Sequence, residues 1–178
     1  MKNIIALGGS NSRKSINKQL AKYAAAQLKN AAVTLVDLNA YDFPIYSVDL
    51  EEANGMPSEI KKMNAVFESA DGFVVSLAEH NGSYTAAFKN AFDWLSRIQG
   101  KVWREKPVLL LATSPGARGG KSVLEAAASR FPYMGAKITG TFSLPSFYEN
   151  FTASDITDVQ LKEQLFEQIA LFQKTIDT

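Results

Sequence analysis

The chain predicts an α/β fold in three layers, an open parallel sheet of five strands between helices. Three observations predict it. Five short apolar runs alternate with stretches of helical periodicity. The first, third and fourth runs are almost continuously apolar, as strands covered on both faces must be. The connections after those same three runs concentrate glycine, hydroxyl and amide side chains. In an open α/β sheet the loops at the carboxyl ends of the strands form the ligand crevice, so these distant segments converge.

The first strand is expected at residues 3–7, where Ile4-Ile5-Ala6-Leu7 is uniformly apolar. It empties into Gly8-Gly9-Ser10-Asn11-Ser12-Arg13-Lys14-Ser15-Ile16-Asn17, and a helix follows at about 15–30 with Ile16, Leu20, Ala24 and Leu28 on one face. A strand, a small polar turn and a helix start make an anion cradle from free N–H groups and the positive helix end. Ser10, Ser12 and Ser15 add hydroxyls and Asn17 an amide. The loop lacks the spacing of a nucleoside-triphosphate loop and of a dinucleotide fingerprint. A bound monophosphate is therefore the expectation, against a purely structural role in which Ser15 or Asn11 caps the helix.

The second strand is expected at 33–38. Beyond it, Tyr41, Phe43, Pro44 and Tyr46 suggest a stiff, partly buried lip, followed by the acidic run Asp49-Leu50-Glu51-Glu52. The lip either shields a ligand's edge or packs on a partner subunit. A helix at about 57–70 leads to the third strand at 73–77. The loop after it, Ala78-Glu79-His80-Asn81-Gly82-Ser83-Tyr84-Thr85, holds a strong turn signal at Asn81-Gly82 and cap candidates at Ser83 and Thr85. His80 reads either as a surface hydrogen-bonding group or as a contact to substrate. The next helix, about 85–99, carries Phe88, Ala91, Phe92, Trp94, Leu95 and Ile98, too wide an apolar surface for one stripe. It suits either a large core or a second subunit. Lys89 and Asp93 stand four apart and can pair.

The fourth strand, expected at 108–112, ends in Thr113-Ser114-Pro115-Gly116-Ala117-Arg118-Gly119-Gly120. Pro115-Gly116 marks a tight turn, and Gly119-Gly120 permits close backbone approach, for instance to a flat ring. A helix at about 120–130, a fifth strand at 136–139 and a last helix at about 157–175 complete the chain. The aromatic stretch Phe147-Tyr148-Glu149-Asn150-Phe151 precedes that last helix as a second lip.

Bulk composition narrows the chemistry. A chain of 178 residues with 46% hydrophobic and 21% charged residues suits one domain, residues 1–178, with a sizeable core. A formal charge of +1 gives no global field for nucleic acid. With no cysteine, thiolate catalysis and cysteine-based metal sites are excluded, and one histidine excludes a multi-histidine metal centre. No apolar run approaches the roughly 20 residues that span a bilayer. No signal peptide is expected, and the cytoplasm is the expected compartment.

At the three loops the sequence resembles the NADPH-dependent FMN reductase family, along nearly the whole chain. Gly9-Ser10, then Ser15, Asn17 and Leu20-Ala21, is similar to the family's phosphate-loop motif. Asn81-Gly82-Ser83-Tyr84-Thr85 through Lys89-Asn90-Ala91-Phe92-Asp93-Trp94 resembles its second signature, and Ser114-Pro115-Gly116 with Gly119-Gly120 its glycine-rich loop. Two departures stand out. The family places arginine where this chain has Ser12, with Arg13 one place late. Its proline-glutamate-tyrosine turn reads Ala78-Glu79-His80 here.

The resemblance implies a flavodoxin-like sandwich with strand order 2-1-3-4-5 and FMN beside the first and third strands. It implies FMN contacts at Ser10, Ser12, Arg13, Ser15, Ile16 and Asn17 for the phosphate. For the ring it implies Glu79, His80, Asn81, Gly82, Ser83, Tyr84, Ser114, Pro115, Gly116, Gly119 and Gly120. NADPH or NADH would donate a hydride, and a quinone, azo compound, free flavin or metal oxyanion would accept two electrons. It also implies a homodimer or a dimer of dimers. The competing readings are a flavodoxin-like electron carrier without nicotinamide reactivity, and a phosphate-binding module or small hydrolase without flavin.

Overall fold

The chain builds one five-stranded parallel sheet, and its computed structural model describes residues 1–152 and 155–178. Strand β1 (Lys2–Gly9) is followed by α1 (Ile16–Ala26) and β2 (Ala31–Val36). Helices α2 (Val48–Asn54) and α3 (Ser58–Glu68) lead to β3 (Gly72–Leu77). A hairpin of β4 (Glu79–His80) and β5 (Ser83–Tyr84) precedes α4 (Ala86–Ile98), then β6 (Lys106–Thr113) and α5 (Lys121–Arg130). Strand β7 (Ala136–Leu144), the short α6 (Phe147–Asn150) and α7 (Val159–Asp177) follow. The large sheet runs β2-β1-β3-β6-β7, the flavodoxin-like order that the resemblance implies.

Alternation along each buried strand sorts side chains into two half-cores. From β1, Ile5 and Leu7 face an aromatic cluster of Phe67 on α3, Phe73 on β3, Phe88 and Phe92 on α4, and Trp103 and Phe131 from the connections after α4 and α5. Ile4 and Ala6 face the opposite cluster, closed by Leu20 and Ala24 of α1 and by Leu165, Ile169 and Phe172 of α7. Because β3 and β6 bury both faces, their runs are nearly all apolar, with Ser76 of β3 as a buried exception.

The departures from expectation have local causes. The first helix stops at Ala26, since Asn30 turns with φ 53° to feed β2. The fifth strand continues to Leu144, five residues past the expected end, because a bulge near Val108 lets β7 carry Gly140. The acidic run after the lip is helical: Ser47 caps α2 by accepting from Leu50 N, and Gly55 ends it at φ 70°.

The broad face of α4 is absorbed within the chain. Phe88, Ala91, Phe92, Trp94 and Leu95 are all buried, and Ile98 is the exposed remainder. Part of that cover is the lip. Pro44 O accepts from Trp94 Nε1 at 2.8 Å and from Asn90 Nδ2 at 3.1 Å, while Asn90 Oδ1 accepts from Tyr46 N at 2.8 Å. Lys89 and Asp93 pair at 2.7 Å as their spacing predicts. Among the described residues no helix is long and apolar enough to cross a membrane.

Candidate functional site

A cavity of about 170 Å³ opens where β1, β3 and β6 end. Its floor is Ser10, Ser12, Lys14, Ser15, Ile16 and Asn17; one wall is Ala78, Glu79 and His80; the other is Thr113, Ser114 and Pro115, with Tyr148 at the rim. The three loops singled out in the sequence therefore do meet. Larger grooves exist, such as one of about 800 Å³ between Gln27 and the end of α7, but it takes no residue from the three loops at the strand ends.

The floor is organised to donate. Ser10 Oγ accepts from Ser12 N at 3.1 Å, Ser12 Oγ from Lys14 N at 3.3 Å, and Ser15 Oγ from Lys18 N at 3.1 Å. Each serine oxygen is fixed as an acceptor, so its O–H is left to donate, and none of the three has an acceptor among the described residues. Ile16 and Asn17, the first two residues of α1, offer N–H groups that the helix cannot satisfy internally. Three hydroxyls and two amides at the positive end of a helix fit a phosphate monoester. The helix can sit this close because the strand end is glycine: a Cβ on Gly8 would lie 2.6 Å from the Lys18 backbone.

Asn17 serves the frame as well. Its side chain is buried, with Oδ1 accepting from Ser76 Oγ at 2.7 Å and from Thr113 N at 3.0 Å, while Nδ2 donates to Thr113 O at 3.0 Å. One N–H of the amide is left for a ligand. Lys18 is committed elsewhere, to Asp37 Oδ2 at 2.5 Å. Burial opposes ionising Asp37, but the hydrogen bonds from Lys18 and Asn39 outweigh it and hold the carboxyl below its ordinary range. Arg13 is exposed and lies off the cavity wall, whereas its neighbour Lys14 lines it.

The wall at 79–84 is a tight hairpin. Glu79 pairs with Tyr84 and His80 with Ser83, and both turn residues are left-handed, Asn81 at φ 52° and Gly82 at φ 77°. This puts Asn81, Gly82 and Ser83 at an exposed tip beyond the cavity. Tyr84 points the other way, stacking on Phe131 at 6.3 Å, with its hydroxyl buried and unpaired among the described residues. Burial pushes that phenol's pKa up, against the opposing charge of Arg130. Thr85 caps α4 and donates its hydroxyl to Gly9 O at 2.8 Å, tying this wall to the floor.

The opposite wall is narrower than the sequence suggests. Ser114 and Pro115 line the cavity, and Gly116 is exposed beyond it. Gly119 and Gly120 are buried instead: a Cβ on Gly119 would lie 2.4 Å from Ser143 Oγ, and one on Gly120 3.1 Å from Ala112 Cβ. Their close approach is to the ends of β7 and β6, not to the cavity. Thr113 joins the site without having been singled out for it, and Tyr148 joins it from the stretch read as a second lip. Thr113 is the last residue of β6, and Tyr148 belongs to the second aromatic stretch, which Phe147 N and Ser146 N fasten by donating to Ser114 O and Gly116 O, each at 3.0 Å.

Known proteins share this fold. Residues 2–149 match the model of the NADPH-dependent FMN reductase family. A quinone reductase of Escherichia coli K12 is 32% identical over 121 residues, 66% of this chain and 62% of that protein. A 2-hydroxy-1,4-benzoquinone reductase of a Burkholderia species is 35% identical over 117 residues, 65% of this chain and 62% of its own length. The aligned region thus spans less than two thirds of these relatives. A solved structure of FerB, a flavoenzyme NAD(P)H:(acceptor) oxidoreductase from Paracoccus denitrificans, superposes with a TM-score of 0.78 at 25% identity, covering 99% of this chain and 98% of that one. A family match over most of the chain, on a fold whose strand ends converge on a phosphate-sized cluster of donors, leads to one conclusion: the chain belongs to the NADPH-dependent FMN reductase family, flavoproteins that use FMN and reduced nicotinamide.

Proposed function

We propose that residues 1–178 form a single FMN-binding domain that oxidises NADPH or NADH and passes two electrons to a small acceptor. Quinones, azo compounds, free flavins and metal oxyanions are the acceptor classes. The observation that carries this reading is the floor of the cavity, where three serine hydroxyls and two helix N–H groups are left to donate at one spot. The quinone reductases among its relatives support the acceptor class.

Bound FMN would supply the redox chemistry, taking a hydride from the nicotinamide and returning electrons to the acceptor. The protein's own part is binding and orientation. Ser10, Ser12, Ser15 and the N–H groups of Ile16 and Asn17 hold the phosphate, with Arg13 and Lys14 contributing positive charge from the surface. His80 and Glu79 on one side and Ser114 and Pro115 on the other flank the ring. The backbone of Asn81–Ser83 and Gly116 borders it from the exposed ends of the walls, while Tyr84, Gly119 and Gly120 hold those walls from behind. No side-chain nucleophile is needed.

The cavity of about 170 Å³ is smaller than the roughly 300–1,000 Å³ of most small-molecule sites. A second copy of the chain is therefore proposed to complete the ring's enclosure, in a homodimer or a dimer of dimers. The near-neutral net charge favours an enzyme over an electron carrier with a strongly acidic docking face. An absorbance spectrum of the purified protein, followed anaerobically as NADPH is added, tests the reading. Flavin absorbance that bleaches with NADPH is expected. A bound flavin that NADPH leaves oxidised would make the chain a carrier, and failure to bind FMN would end the flavin reading.

A further inference from the structure

Helix α5 begins without a cap of its own. Gly120 at its N-cap is left-handed at φ 75° and offers no side chain, while the N–H groups of the first turn need acceptors. One acceptor arrives from outside: Glu79 Oε2 takes the N–H of Val123 at 3.0 Å, across 44 positions of sequence. A carboxylate at the positive end of a helix makes a charge-assisted bond, stronger than a neutral one.

The place of this bond matters more than its strength. Glu79 stands in the hairpin that forms one wall of the cavity, and α5 continues directly from the loop that forms the other. Among the described residues it is the one hydrogen bond joining residues 78–85 to residues 114–130. The hairpin has two residues per strand, too few to hold its own position. Its other anchors are Thr85 on Gly9 O, and Tyr84, the strand partner of Glu79, against Phe88 and Phe131.

We propose that Glu79 is a positioning residue: by capping α5 from the hairpin, behind the cavity, it fixes the gap between the two walls, and so sets how tightly the flat ring is held. This rests on the FMN reading. A flat ring gains dispersion only while both neighbours stay at contact distance, so a hairpin free to pivot weakens the ring's grip. None of the phosphate's proposed donors, on the loop before α1 and on its first turn, bonds to Glu79.

The test uses the full chain with Glu79→Ala and Glu79→Gln, titrated with FMN and with riboflavin by fluorescence quenching, plus NMR amide exchange in the flavin-free protein. Glu79→Ala is expected to weaken both flavins by the same factor, on the order of tenfold, as loss of one charge-assisted bond would. It should also speed exchange at Val123 N–H. Glu79→Gln keeps a carbonyl acceptor and is expected to stay within about threefold of the parent, since a neutral bond retains about half the strength. If the alanine variant does not fold, Glu79→Asp carries the test, because its carboxylate falls one methylene short of Val123 and the same loss is expected. Parental riboflavin affinity in the alanine or aspartate variant, beside a parent that binds flavin, overturns the role of Glu79 alone. A parent that binds neither flavin overturns the FMN reading, and the slot with it.

Discussion

Asn17 makes to Thr113 the pair of hydrogen bonds that a neighbouring strand would otherwise make. Its Oδ1 accepts from Thr113 N and its Nδ2 donates to Thr113 O, both at 3.0 Å. Strand β3 stops pairing with β6 at the Leu77–Ala112 step, one residue short of Thr113. An amide on α1 thus extends the ladder by one position and bolts the start of α1, with its donors, to the sheet.

Asn17→Leu keeps the branching of the side chain and removes all three bonds. Thr113 and Ser76 are left with buried, unsatisfied groups, each costing about 1–3 kcal/mol, so a destabilisation of about 3–5 kcal/mol is expected. Urea denaturation should show a lower midpoint with an unchanged slope. A loss below about 1 kcal/mol would mean that the three bonds are replaced by relaxation.

Ser15→Glu places a carboxylate among the donors proposed for the phosphate. The expected outcome is a folded, colourless protein whose FMN affinity falls at least about 100-fold, the ~2.7 kcal/mol of a charge repulsion at close range, while riboflavin binding changes little. Titration with the two flavins separates the phosphate from the ring. Stoichiometric FMN at parental affinity would remove the floor of the cavity from the binding site.

His80→Asn tests the exposed wall. The side chain lines the cavity but takes no hydrogen bond among the described residues. Acceptor preference, read as the ratio of kcat/KM for a quinone and a free flavin, is expected to shift by about tenfold, with FMN content unchanged. Equal falls in both would make His80 part of the flavin's support.

The Lys18–Asp37 pair gives a pH signature. The Asp37 carboxyl titrates lower in the folded chain than its ordinary 3.8, so the pair's stabilisation is full above that value. It is lost as pH falls through the lowered, folded-state value. Asp37→Asn is expected to cost about 0.5–1 kcal/mol near pH 7, the range of a partly exposed pair, and progressively less as pH falls below 3.8. Thermal melts of both chains from pH 2 to pH 7 would reveal the converging curves.

The sequence displays its strands and its cradle because both depend on local pattern. Continuous apolar runs reveal β1, β3 and β6, and Ser10, Ser12 and Ser15 stand one short turn from the end of a strand. What it hides is direction and distance. Gly119 and Gly120 look ready for a ligand, yet their missing Cβ atoms make room for Ser143 and Ala112, a contact set by the position of β7. Tyr84 lies within a signature stretch but points into the aromatic core, since alternation in a two-residue strand cannot be read from its neighbours. Thr113 joins the site only because Asn17, 96 residues away, finishes its ladder.

The sheet is also a partition. The helix that would grip the phosphate leans on one half-core, and the hairpin and α5 that would flank the ring lean on the other. Packing faults on the two sides should then sum rather than compound, as independent sites do. Tail and head of a flavin bound as proposed would rest on different foundations, joined through Thr85 and Gly9, so the head's surroundings, and with them the choice of acceptor, could be retuned with little loosening of the tail.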